Sequence, residues 1–455
     1  MSILHSILFF IIAIAVLVAI HEFGHYWVAQ KMGVRVLRFS IGFGKPLYIW
    51  KRNIKGHDVE YIIATIPLGG YVKMLDEREE EVAEEDLAYA FNTQPLLTRV
   101  AIVAAGPVFN LVLAAILYWV VFLSGVTVER ALLGEPAKTS IAAKSGFKNN
   151  DEVLKVGDEA VSSWQDFHLV VLDQGLDGGV LEVEVRNADG LIRNRQLDLG
   201  TAQLLEHESD VMDDLGFRHW WPDLPAVIGG VVKDGPAEQA GLMKGDQLLS
   251  LDGDVIKQWH ELVERVERSQ GKPINFKVLR NQEEISIVII PGSREKQGEI
   301  KGFIGAYQEI PQSLKDTLFV EIEYGVIDAI PAAIAKTWDM SKLTLRVIGK
   351  MIAGEASLKN ISGPVTIAKY AGATADIGIT AFISFLAIIS VSLGVLNLLP
   401  IPMLDGGHLF YYLIEAIKGS PVSEAFEMRG QQIGIVILAG LMFIAFYNDF
   451  QRFVP

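Results

Sequence analysis

The chain has 455 residues, with 40 lysines and arginines against 55 aspartates and glutamates and a net charge of -15. That acidity excludes nucleic acid as an expected partner, because phosphate binding needs a basic surface. Half the residues are hydrophobic, which points to membrane spans, and the absence of cysteine excludes thiolate zinc sites, disulfides and cysteine nucleophiles. Any metal must then be held by His, Asp or Glu.

Every residue from Ile7 to Ile20 is apolar, and the run leads into His21-Glu22-Phe23-Gly24-His25. The segment lacks a basic leader, and cleavage after Ile20 would cut through the polar motif. It therefore reads as a retained membrane helix from about Ile3 to past Gln30 rather than a signal peptide. Residues four apart share one helix face, so His21 and His25 can grip one divalent ion with Glu22 beside its open coordination position. The competing reading is a polar cap where a helix leaves the lipid. Lys31, Arg35, Arg38, Lys45, Lys51, Arg52 and Lys55 follow, with no acid before Asp58. A basic loop beside a span marks the cytoplasmic side, which leaves the N-terminus outside and the motif toward the cytoplasm.

Four strand-like pieces come next, Val34–Ser40, Leu47–Lys51, Val59–Ile66 and Tyr71–Met74, separated by glycines and prolines. They predict a hairpin or small sheet lying against the membrane under the motif, followed by a solvated acidic run from Asp76 to Asp86. Leu96 to Leu123 reads as a second span, interrupted by Gly106-Pro107 and Asn110. Those residues predict either a kink with a hydrogen-bonded Asn or a close approach to the first helix through small residues.

Val126 to about Gly305 is polar and contains an internal repeat. Ser145-Gly146-Phe147-Lys148-Asn149-Asn150-Asp151 returns as Ala240-Gly241-Leu242-Met243-Lys244-Gly245-Asp246, with Trp164 and Trp259 in register. The second copy resembles the PDZ domains of bacterial envelope proteases, which bind extended peptides by strand addition. The first copy has Asn150 where the second has glycine. Paired spacer domains with empty grooves are the alternative.

Gln312 to Met351 is amphipathic, with Trp338, Leu343, Leu345 and Ile348 set against Lys336, Lys342, Arg346 and Lys350, as in a helix on a membrane surface. Ile379 to Leu399 reads as the third span and Ile433 to Tyr447 as the fourth. The third ends in Asn397-Leu398-Leu399-Pro400-Ile401-Pro402-Met403-Leu404-Asp405-Gly406-Gly407-His408. Two prolines there predict irregular backbone near membrane depth, tolerated only where protein or water surrounds it. Asp405 then needs a partner: either it is a metal ligand, or it caps a helix ahead of two glycines. His408 is the alternative ligand, read here as a supporting residue.

Taken together, these motifs resemble the site-2 protease family of intramembrane zinc metalloproteases. The match rests on His21-Glu22-Phe23-Gly24-His25, on Asn397-Leu398-Leu399-Pro400 with Asp405-Gly406, on Gly106-Pro107-Val108-Phe109-Asn110, and on the tandem repeat. The resemblance implies Zn2+ held by His21, His25 and Asp405, Glu22 as catalytic acid/base, and Asn397 holding the substrate strand. It implies a pre-trimmed, single-pass transmembrane protein as substrate, with a membrane-spanning anti-sigma factor as the family's best-known example and signal-peptide remnants as the alternative, and a role in envelope stress signalling. The expected fold is a four-span α-helical membrane protein with a membrane-associated β-sheet and two tandem PDZ domains. Its segments are 1–33 (first span), 34–95 (cytoplasmic β region and acidic loop), 96–125 (second span), 126–215 and 216–310 (PDZ domains), 311–375 (amphipathic region), 376–412 (third span) and 413–455 (loop and fourth span). The expected setting is the bacterial inner membrane, in contact with lipid, with both termini and the PDZ domains periplasmic. A peptide terminus is an expected partner for the second PDZ domain. An ion transporter would also bury His, Glu and Asp, but needs neither PDZ domains nor the His-Glu-x-x-His spacing. A silent membrane adaptor would tolerate loss of Glu22.

Overall fold

The computed structural model describes residues 3–54, 56–78, 81–200, 204, 211–222, 224–296 and 299–453. Lys55 of the basic loop and Glu79 and Glu80 of the acidic run lie outside the described residues. The chain divides into two compact units: Met1–Val126 with Glu321–Val454, and Thr127–Ala202 with Ser209–Val320.

The first unit contains the helices α1 (Ile3–Met32), α2 (Leu96–Leu123), α3 (Ala329–Ala353), α4 (Pro364–Ile377), α5 (Ile379–Asn397), α6 (Asp405–Lys418) and α7 (Glu424–Phe453). Helices α1, α2, α5 and α7 are long and apolar enough to cross a membrane, as befits a multi-pass membrane protein. The last is longer than the expected Ile433–Tyr447, because helical hydrogen bonding continues through polar residues at both ends of the apolar run. Several apolar side chains of α1, including Ile3, Leu4, Leu8 and Ile12, face outward. Its buried residues form one stripe, Ala13, Leu17, Gly24, His25 and Ala29, spaced as a helix face should be. Helix α2 answers at the motif end with Ile102, Gly106 and Asn110, each four residues after the last, while its Ala114 and Tyr118 turn to Ala333 of α3 and to Ala387 and Val391 of α5.

Small residues set how closely these stripes approach. A Cβ on Gly24 would lie 2.5 Å from the Ala105 carbonyl oxygen, and one on Gly394 of α5 would lie 3.0 Å from the Pro107 carbonyl oxygen. Helix–helix association in lipid depends on such close contact, since burying apolar surface gains little there. Pro107 sits inside an unbroken helix.

The expected four strand pieces are joined into two long strands, β1 (Val36–Ile54) and β2 (His57–Met74), paired antiparallel. The four pieces survive as pairing segments. Arg38–Ile41 is paired on both sides, with Glu60–Ile63 and with Gly70–Lys73, while Tyr48–Ile54 pairs with His57–Ile63. Glycines in the left-handed region at Gly42 (φ 89°) and Gly44 (φ 90°) bend β1 instead of ending it. The base of the sheet docks on α1 and α2 through Val34, Val36, Val59, Ala29 and Ile102. Leu47, Tyr48, Ile49 and Trp50 are exposed at the far part. Among its described residues the acidic run gives a short 3-10 helix at Glu84–Tyr89.

The amphipathic stretch is not one helix. A short helix Gln312–Leu318 gives way to a strand Phe319–Ile322 before α3 begins. The reason is local: Phe319-Val320-Glu321-Ile322 is rich in strand formers.

The second unit holds two copies of one topology. The first copy has strands β3 (Glu152–Val156), β4 (Glu159–Ala160), β5 (Gly179–Arg186) and β6 (Ile192–Gly200), in sheet order β4-β3-β5-β6. The second has β7 (Gln247–Leu251), β8 (Asp254–Val255), β9 (Ile274–Arg280) and β10 (Glu283–Ile289), in order β8-β7-β9-β10. Backbone bonds repeat as well. Leu133 N–H donates to Asp151 O and Val153 N–H to Ala131 O, while Ile228 N–H donates to Asp246 O and Leu248 N–H to Ala226 O. Asn150 takes the left-handed conformation (φ 68°) that Gly245 takes in the second copy (φ 88°). The two buried aspartates each meet an arginine, Asp151 with Arg195 and Asp246 with Arg280.

The copies differ beside their helices. In the second, Trp259, Leu262, Val266, Phe303 and Ile304 line an open groove of about 310 Å³. In the first, the equivalent helix Trp164–Gly175 is covered. Phe217 is buried edge-on against Phe147 and Phe167, Val211 and Met212 are buried, and His219 lies on Trp164 with ring centroids 3.9 Å apart. The chain carrying these groups hydrogen-bonds back into the first copy, Gly134 N–H donating to Arg218 O and Trp220 N–H to Leu132 O.

Candidate metal centre

The helix through Glu22 puts His21 and His25 on the stripe that faces α2, as their spacing predicts. Their Nε2 atoms are 3.3 Å apart. Asp405 Oδ2 lies 3.1 Å from His21 Nε2 and 3.5 Å from His25 Nε2. No other group of three or more His, Asp or Glu residues with this geometry occurs among the described residues.

Asp405 arrives there by a route the sequence reading did not anticipate. It is neither in irregular backbone nor a cap: it is the first residue of α6, with Leu404 at the N-cap, and its side chain caps nothing. The two glycines explain why. A Cβ on Gly406 would lie 2.1 Å from the Leu399 carbonyl oxygen, and one on Gly407 would lie 2.5 Å from that of Ile401. Without those side chains, the segment after α5 folds back over the first turn of α6. Met403 pays for the tight return with a left-handed φ of 84°. Arg99 of α2 then ties α6 down, donating to both carboxylate oxygens of Glu415 while its guanidinium lies 5.0 Å from the Tyr412 ring centroid.

Whether these three side chains suit zinc can be tested on their own geometry. Donor atoms around a four-coordinate zinc at about 2.0–2.1 Å stand about 3.3 Å apart. The three atoms here match that spacing within a few tenths of an ångström. Asp405 Oδ2 is buried and accepts no hydrogen bond. Burying a carboxylate costs several kcal/mol unless a partner repays it, so this oxygen fits a cation better than it fits a bare cavity. His25 Nδ1–H donates to the Ile102 carbonyl oxygen at 2.9 Å, which leaves Nε2 free to ligate. The residues fit zinc.

Around the three ligating atoms the arrangement is crowded on the side of α2. A Cβ on Gly106 would lie 2.3 Å from His25 Nε2 and 2.8 Å from His21 Cε1, so only glycine lets α2 pass behind the imidazoles. Glu22 makes no hydrogen bond or ion pair among the described residues, and a Cβ on Gly70 of β2 would lie 3.0 Å from its Cγ. The sheet's Gly70–Lys73 edge therefore runs past the acid. Asn397 is the last residue of α5, and its amide makes no hydrogen bond among the described residues. His408 stands outside the cluster, with its ring against Tyr411. The close approach through Gly106 was one of the two readings of the sequence, which missed the role of Ile102 and the pairing of Asn110 with His21. The spacing of four from Ile102 through Gly106 to Asn110 on one helix was the available signal.

The sequence profile of peptidase family M50 matches residues 9–441. The regulator of sigma-E protease RseP of Escherichia coli (strain K12) is 42% identical over 453 residues, covering 99% of this chain and 100% of that one. A putative zinc metalloprotease of Vibrio cholerae is 40% identical over 454 residues, 99% of each chain. Protease RseP of Yersinia pestis is 38% identical over 457 residues, 99% of this chain and 100% of its own. This chain belongs to peptidase family M50 and is a zinc metalloprotease.

Proposed function

We propose that the chain is an intramembrane protease that cuts a transmembrane segment of a pre-trimmed, single-pass protein in the bacterial inner membrane. The observation that carries this reading is the meeting of His21, His25 and Asp405 within a bundle whose helices are long enough to span. His21 and His25 through Nε2, and Asp405 through Oδ2, would hold the zinc. When bound, zinc lowers the pKa of its water and polarises the scissile carbonyl. Glu22, without a hydrogen bond among the described residues, takes the proton of the attacking water and delivers it to the leaving amine. A helical substrate must unwind to expose a peptide bond, which frees backbone N–H and C=O groups that are costly to leave unpaired. The edge at Gly70–Lys73 beside Glu22 supplies a strand to pair with them, and Asn397 binds the same extended backbone as donor and acceptor.

The names of the relatives support a role in sigma-E regulation, and an anti-sigma factor is the substrate this would require. The basic loop after α1 supports an active site toward the cytoplasm, with both termini and the repeat unit periplasmic. Glu22→Gln tests the assignment. The amide is nearly isosteric, so bound zinc is retained while cleavage of a transmembrane reporter falls by about a hundredfold or more. Turnover within a few fold of the wild type ends it.

The repeat copies are read as PDZ domains with unequal duties. The filled face of the first supports a role as bulk that turns away untrimmed substrates, and the open groove of the second supports capture of a peptide terminus. Replacing 126–305 with a flexible linker separates the two. Exclusion predicts gained cleavage of intact substrate with trimmed substrate still cut. Loss of trimmed-substrate cleavage in a folded variant assigns the main duty to capture.

A further inference from the structure

One face of α2 serves both imidazoles, and its third residue is the unusual one. Ile102, Gly106 and Asn110 follow one another at intervals of four. Ile102 offers a backbone carbonyl, which can only accept, so the His25 tautomer is fixed with Nδ1–H donating. Gly106 offers bare backbone. Asn110 is fully buried and offers an amide, which can donate or accept depending on its rotation. As placed, its Nδ2 lies 3.1 Å from His21 Nδ1, while its Oδ1 is buried without a partner.

That orientation makes His21 Nδ1 an acceptor and so leaves the ring proton to Nε2, the atom that has to be bare to ligate. A zinc-ligating Nε2 needs the opposite tautomer, with the proton on Nδ1 and an acceptor facing it. Turning the amide by about 180° exchanges its oxygen and nitrogen with almost no change of shape. Either orientation leaves one amide atom unpaired, so the bond to His21 decides between them. The helix at this turn is itself pinned, because Ser390 Oγ–H of α5 donates to the Asn110 carbonyl oxygen at 2.7 Å.

We propose that Asn110 is a positioning residue whose side-chain oxygen, turned toward His21 Nδ1–H, selects the zinc-ligating tautomer of that histidine. The proposal rests on His21 being a zinc ligand. It explains why an amide stands where a simple packing residue would suffice, and why it is one helical turn beyond the glycine that makes room for both rings.

The experiment measures zinc retention by the purified full-length protein against a competing chelator, for Asn110→Leu, Asn110→Asp and His21→Ala. Asn110→Leu keeps the side chain's size but cannot accept, and is expected to hold zinc about ten- to a hundredfold more weakly. Asn110→Asp can only accept and is expected to retain zinc as the wild type does. The zinc-free Leu variant is expected to unfold at the wild-type denaturant concentration, which a merely structural role would not allow. In zinc-loaded, histidine-labelled wild type, a hydrogen-bonded Nδ1–H resonance of His21 is expected, and it provides the same test should the Asp variant fail to fold. Wild-type zinc retention by Asn110→Leu, equal loss by a folded Asp variant, or a zinc-loaded His21 without that proton would each overturn the proposal. Zinc retained by His21→Ala would instead overturn the ligand assignment beneath it.

Discussion

Two aspartates of the first unit, Asp405 and Asp449, carry buried carboxylate oxygens, and these are treated in opposite ways. Asp449 of α7 accepts from the backbone N–H groups of Gly363, Val365 and Thr366 and from the Thr366 hydroxyl. It caps α4, whose own N-cap is Gly363 and has no side chain to do so. The next residue back, Asn448, donates to the carbonyl oxygens of Leu358 and Ile361. Every lone pair has work within the fold. Asp405 has an oxygen facing two ring nitrogens and no hydrogen bond to it. A satisfied buried carboxylate supports structure, whereas an unsatisfied one marks a place kept for something else.

That difference predicts opposite phenotypes. Asp405→Ala is expected to lose zinc and, with it, cleavage, while unfolding of the zinc-free protein shifts little, because the deleted group made no hydrogen bond. His408→Ala is expected to keep most of its zinc. Metal analysis of the purified variants beside chemical denaturation reads both quantities. A reversed pair of results would move the third ligand to His408.

Asp449→Ala breaks the comparison from the other side. It strands three N–H groups and a hydroxyl where water is scarce, at about 1–3 kcal/mol for each buried group left unpaired. A destabilisation of about 3 kcal/mol or more is expected, with zinc content per folded molecule unchanged. Asp449→Asn, which keeps one acceptor oxygen, is expected to recover part of it. Selective zinc loss in a protein of wild-type stability would show that the clamp belongs to the metal site after all.

How much of this was legible in the letters follows from the distance each interaction spans. His21, Glu22 and His25 were readable because a helix brings residues four apart together without help from the rest of the chain. The repeat was readable for the same reason, and its backbone hydrogen bonds recur 95 positions later, from Asp151 to Asp246. Asp405 was readable only as an acid in need of a partner, since its partners lie at the other end of the chain. Asn110 appeared in a motif, but its role depends on which amide atom faces His21. Asp449 left no trace: the apolar pattern of the last span stops at Tyr447, and nothing there points to the uncapped start of α4. The covered face of the first repeat copy was equally hidden, because Phe217 and His219 look like ordinary linker residues until the chain turns back.

Glu60 marks the mild end of the same scale, a paired carboxylate on the surface. It lies opposite Lys51 in the sheet register, accepting from Lys51 at 2.9 Å and from Arg38 at 2.7 Å. Those two cations, Lys51 first, hold its carboxyl below the usual value of 4.5. The sign follows from linkage: the pair's contribution is fully present above the unfolded carboxyl's pKa and is lost as pH falls through the lower folded value. Solvent screens the pair, so the contribution is small. It acts where Trp50 stacks on Tyr61 with ring centroids 5.1 Å apart, on the exposed part of the sheet. Amide exchange in Tyr48–Ile54 is therefore expected to quicken by a few fold between pH 5 and acid conditions, after correction for intrinsic rates. In Glu60→Gln that pH dependence is expected to flatten, with exchange near the acid level throughout and zinc unaffected. An unchanged pH profile in the Gln variant would show that the sheet is held by its backbone pairing and aromatic stacking alone.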